Sequence, residues 1–100
     1  MSEAQSLTML LLSIQRAILG VITPNIRGIT CALNNSQIII RCYFEGQITE
    51  ENEESMNSVE AEVIADFPPD FTIDLQCIAT NKSESLEQHR LLAWAYKRKE

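Results

Sequence analysis

Residues 29–45 alternate along their length on both sides of a short polar break, and no other feature narrows the fold of this chain as much. Ile29, Cys31 and Leu33 alternate with Thr30 and Ala32. After Asn34, Asn35 and Ser36, the residues Ile38, Ile40, Cys42 and Phe44 alternate with Ile39, Arg41, Tyr43 and Glu45. A period of two belongs to a strand. Asn tolerates positive φ, so the break reads as a tight turn and the whole as a β-hairpin. With a two-residue loop, Ile29, Cys31 and Leu33 fall opposite even-numbered residues of the second strand, and directly opposed residues share a face. Turn geometry and apolar phase therefore agree.

Helical spacing flanks the hairpin. From about Ser6 to Leu19 the residues Leu7, Leu10, Leu11, Ile14, Ala17 and Ile18 form one apolar stripe, with Ser6 as the expected cap and Gly20 and Pro24 ending the helix. A second helix is expected from about Glu50 to Ala65, capped by Thr49, with Glu50 and Glu51 in the first turn where the helix dipole favours negative charge. Its stripe is Met56, Val59, Val63 and Phe67, and Pro68 and Pro69 stop it. Most of its acids fall off the stripe, so one face is core and the other rich in carboxylates.

A third strand is expected at about Phe71–Thr80, with Phe71, Ile73, Leu75 and Cys77 on one face, and then a polar loop over Asn81–Gln88. Leu91–Arg98 alternates and reads as a last strand, with neither face marked as the buried one. A helix over Leu86–Tyr96 is the alternative, because Leu, Glu, Gln, Arg and Ala are good helix formers. The expected fold is one α+β domain over residues 1–100, in the order α-β-β-α-β-β, with a four-stranded antiparallel sheet and both helices on one face. Its core should hold Leu10, Ile14, Ile40, Cys42, Val59, Val63 and Leu75. The other sheet face should be partly open, displaying Ile39, Arg41 and Tyr43.

Charge is segregated along the chain. The net charge is −6, yet no Lys, Arg or His occurs from Cys42 to Asn81. That stretch carries Glu45, Glu50, Glu51, Glu53, Glu54, Glu60, Glu62, Asp66, Asp70 and Asp74. Phosphate backbones repel such a surface, which argues against direct nucleic-acid binding. A basic protein partner fits it, although acids can also serve solubility alone. The expected partner-binding residues are Glu45, Glu50, Glu51, Glu53, Glu54, Asp66, Asp70 and Asp74, with Tyr43 and Arg41 as anchors of the kind enriched in interface hot spots.

Little else in the sequence carries chemistry. His89 is the one histidine, and no GxSxG, HExxH or P-loop pattern is present. Glu50, Glu51, Glu53 and Glu54 lack the fixed loop geometry of a cation site, so no metal or cofactor is expected. Cys31, Cys42 and Cys77 show no zinc spacing, and they read as buried free thiols suited to a reducing compartment. The run Leu7–Leu12 is too short to span a bilayer, and the opening Met1, Ser2, Glu3 is not that of a secretion signal. The expectation is a cytoplasmic protein with no membrane partner. Lys97, Arg98 and Lys99 read as a frayed, solvated end. Unpaired edge strands leave a homodimer open.

Four segments resemble a known set of proteins. They are Arg16-Ala17-Ile18-Leu19-Gly20-Val21-Ile22-Thr23-Pro24-Asn25-Ile26-Arg27, Arg41-Cys42-Tyr43-Phe44-Glu45-Gly46-Gln47-Ile48-Thr49-Glu50-Glu51, Glu60-Ala61-Glu62-Val63-Ile64-Ala65-Asp66-Phe67-Pro68 and Tyr96-Lys97-Arg98-Lys99-Glu100. The set is the small bacterial immunity proteins of contact-dependent growth inhibition and related polymorphic toxin systems. Most of the chain takes part, Asn81–Leu91 least. The resemblance implies a cytosolic inhibitor that binds one toxin domain, often a nuclease acting on transfer RNA, and it brings no catalytic residues. An adaptor or homo-oligomeric interaction module is the alternative.

Overall fold

The hairpin forms as its alternation requires. In the computed structural model, which describes residues 2–100, β1 (Ile26–Asn34) and β2 (Gln37–Glu45) pair antiparallel. Ile29 lies opposite Cys42, Cys31 opposite Ile40, and Leu33 opposite Ile38. Asn35 takes φ 57°, the left-handed conformation that the turn demands. A bulge at Arg27 resets the phase, so that Ile26 opposes Phe44 and joins the core face.

Helix α1 (Glu3–Ala17) starts earlier than its apolar stripe suggests. Ser2 caps it and Gln5 completes a reciprocal capping box, which satisfies two free N–H groups beyond the reach of Ser6. Ser6 is buried instead. Helix α2 (Glu50–Ala65) is capped by Thr49 as expected, and Met56, Val59, Val63 and Phe67 are buried.

The sheet is mixed, not antiparallel throughout. Its order is β3-β2-β1-β4, with β3 (Thr72–Thr80) parallel to β2 and β4 (Ala93–Lys97) antiparallel to β1. The reason lies in α2. It carries the chain back along the sheet from the end of β2, so the next strand starts where β2 started and runs beside it in the same direction. A hairpin between β3 and β4 is then excluded, because they occupy opposite edges. A bulge opposite Ile29 and Thr30 splits the alternation of β4. Tyr96 joins the helix side opposite Ile29, whereas Trp94 lies opposite Thr30 on the reverse face.

Helix α1 packs on β1 and β4, and α2 packs on β3 and on α1. Leu10, Ile14, Ile29, Cys31, Ile38, Ile40, Cys42, Phe44, Met56, Val59 and Val63 form the buried centre, and Leu75 is half-buried against it. The three cysteines are free, with Cys31 and Cys42 buried and Cys77 half-buried. Burial pushes the Cys31 thiol up to about 11 and the Cys42 thiol higher, so both stay protonated.

The reverse face of the sheet is largely covered, contrary to the expected opening. Residues 81–92 cross it as a strap from β3 to β4, and contain a 3₁₀ turn at Leu86–Gln88. Leu86 is buried beside Gly28, where an added Cβ would stand 2.8 Å from the Trp94 ring.

Candidate functional site

The Cys42–Asn81 acids divide into those already engaged within the protein and those turned outward. Around the start of α2, Asn52 is buried and Glu50, Glu51, Glu53 and Glu54 are exposed. Asn52 sets this orientation. Its Oδ1 accepts from Thr49 and from Asn25 Nδ2, and its backbone N–H donates to Thr49 Oγ1. With that side chain fixed inward, helical geometry turns its acidic neighbours to solvent. The four carboxylates form an open acidic end of the molecule.

The other predicted acids lie elsewhere. Asp66 caps the far end of α2, a helix length of roughly 24 Å away. It accepts from Ser13 Oγ at 2.6 Å and pairs with Arg16 at 2.9 Å, tying the two helices together. Asp70 is exposed in the turn that follows. Asp74 is exposed on the reverse face of β3, where it accepts from Gln76. Glu45 ends β2 and pairs with Arg98 at 2.7 Å. Only Glu50, Glu51, Glu53 and Glu54 among the predicted acids come together.

Of the two expected anchors, Tyr43 is buried and Arg41 is half-buried. Tyr43 is 0% exposed. Its hydroxyl donates to the carbonyl of His89 at 2.8 Å, so the 2.6 Å contact with Thr30 is donated by Thr30 Oγ1. Thr30 in turn accepts from the Leu91 N–H. Burial pushes the Tyr43 hydroxyl pKa up, which keeps the proton that this chain needs. Arg41 is half-buried and donates to the same His89 carbonyl at 2.7 Å and to Gln76. These residues pin the strap to the sheet, so in this structure Tyr43 offers no surface to a partner.

One cluster escaped the sequence reading. Arg27 is 3% exposed, donates from Nε and one terminal nitrogen to Glu100, and from the other to Thr80 and the Asn81 carbonyl. Arg98 bridges Glu45, Glu100 and the Pro24 carbonyl. The terminal basic run is therefore anchored rather than frayed. The signal was present in the resembling segments, which contribute Arg27, Glu45, Arg98 and Glu100, but nothing local pairs residues so distant in sequence. Among the described residues, no group of three or more His, Cys, Asp and Glu is placed to hold a metal ion, and no helix is long and apolar enough to cross a membrane.

A family model described as MafI2 immunity protein matches residues 8–100. The chain belongs to the MafI2 immunity protein family. No curated protein matches it. The family match carries the immunity half of the resemblance, while Maf denotes a polymorphic toxin system different from contact-dependent growth inhibition. It spans all four strands, α2 and most of α1, so every face described above belongs to the MafI2 unit.

Proposed function

We propose that this chain neutralises a cognate toxin domain in the bacterial cytosol by stoichiometric binding, without catalysis. Membership of the MafI2 immunity family carries this reading. The acidic end of α2 gives it a physical form. Glu50, Glu51, Glu53 and Glu54 are exposed, and among the described residues none of them is in an ion pair. A toxin that cleaves RNA must present cations to phosphates, and an acidic inhibitor complements such a surface and accelerates encounter. The partner is accordingly a basic nuclease domain, with transfer RNA as one substrate such a domain takes. Asp70 is a peripheral contributor, and Asp74 belongs to a second surface on the β3 side.

The test is co-expression with the cognate toxin domain. Rescue of growth, with a one-to-one complex recovered from the cells, supports the reading; growth arrest despite equal expression of the immunity chain contradicts it. One observation favours the second reading, a homo-oligomeric module. Leu12 on α1 and Leu19 in the turn after it are 56% and 77% exposed, and α1 carries no charge from Ala4 to Gln15. A dimer that forms through this face and fails to rescue would support that module.

A further inference from the structure

β3 is an outermost strand, and its outward main chain has almost no partners. It pairs with β2 in unbroken register from Thr72 to Thr80. At its two ends the Thr72 N–H donates to the Ser36 carbonyl and the Thr80 carbonyl accepts from Gly46, each at 2.9 Å. The even-numbered residues thus turn their main-chain groups toward β2, and Ile73, Leu75, Cys77 and Ala79 turn theirs outward. Of these four outward N–H groups, only that of Leu75 has a partner among the described residues, Glu60 Oε2 at 3.0 Å. The strand contains no Pro, Lys or bulge, the devices that usually close an edge.

We propose that an extended, Lys- or Arg-bearing strand of the toxin domain adds to this edge, displacing Glu60 from the Leu75 N–H. The proposal rests on the toxin-neutralising reading and names where and how that partner docks. Strand addition draws its affinity from the main chain and its selectivity from flanking side chains. Here the flank is acidic. Asp74 is exposed on one side of the edge, and Glu60 reaches it from α2. Burial first, and then the carboxylates of Glu53 and Glu60, push the Cys77 thiol up, which places both acids near the strand. An incoming carbonyl replaces Glu60 at Leu75, and the released carboxylate meets the incoming cation, so neither group is left unpaired.

The opposite edge selects against the same partner. β4 is five residues long and bulged. Lys97 and Arg90 lie 5.0 and 5.4 Å from the Trp94 ring. A basic strand is repelled there.

The test is residue-resolved amide hydrogen exchange on the full chain, free and mixed with the cognate toxin domain. In the free protein the Ile73, Cys77 and Ala79 amides should exchange fast. In the complex they should slow by about tenfold or more. A complex in which these amides exchange as in the free protein overturns strand addition and leaves neutralisation standing. The absence of any complex overturns the neutralising reading itself, and this proposal with it. Ala79→Pro provides a second readout, because it removes an outward N–H from an exposed position without touching the ladder to β2. Its melting temperature should match the wild type, with Kd for the toxin domain weakened about tenfold. Unchanged affinity in a folded A79P protein contradicts the proposal.

Discussion

Arg27 is buried at a bulge, and its charge is tolerable only because Glu100 receives two of its N–H groups. The same contact holds the Glu100 carboxyl at about 2, below its ordinary 4.5. A depressed carboxyl adds stability that is complete above about 4.5 and is lost as pH falls through about 2. Urea unfolding of wild type and Glu100→Gln should therefore differ at neutral pH and converge in that acid window. A difference that persists unchanged to the acid end would contradict the pairing. Gly28 offers a second check. A Cβ there meets the Trp94 ring at 2.8 Å, so Gly28→Ala should cost about 1–3 kcal/mol in denaturant unfolding. At this scale the sequence was a partial guide. The alternation around Tyr43 identified its strand and face, but the covering strap comes from a distant polar segment with no periodic signal of its own. Burial of Tyr43 and the role of Arg27 were therefore illegible.

Elements were legible where a local cause was strong. The hairpin register, the Thr49 cap and the α2 stripe all follow from residues within a few positions of one another. The direction of β3 does not, since an alternating strand pairs either way and α2 decides which end it starts from. The apolar stripe of α1 similarly concealed the start at Ser2, because its first turn is exposed and polar. Asn52 joins the start of α2 to the loop before β1. Asn52→Ala should cost about 1–2 kcal/mol of stability, and should loosen the presentation of Glu50, Glu51, Glu53 and Glu54. Denaturant unfolding checks the first effect, and amide exchange in the first turn of α2 checks the second.

Across the whole molecule, the segregation of charge along the chain survives in space at one place, the start of α2. Glu50, Glu51, Glu53 and Glu54 stand exposed together at the start of α2 and outside the ion pairs, whereas Glu45 is paired with Arg98 and Asp66 with Arg16. Such a field acts at a distance, orienting a basic partner before contact and weakening as salt screens it. Buried anchors would act differently, through dissociation. The most direct measurement is therefore binding kinetics with the proposed cognate toxin domain, over a range of salt concentrations, for wild type and the Glu50/Glu51/Glu53/Glu54→Gln variant. Wild-type association should slow steeply with salt, and the variant should associate about tenfold more slowly at low salt with a flatter dependence. Affinity and association rate unchanged by both salt and the four substitutions would contradict this role of the acidic end.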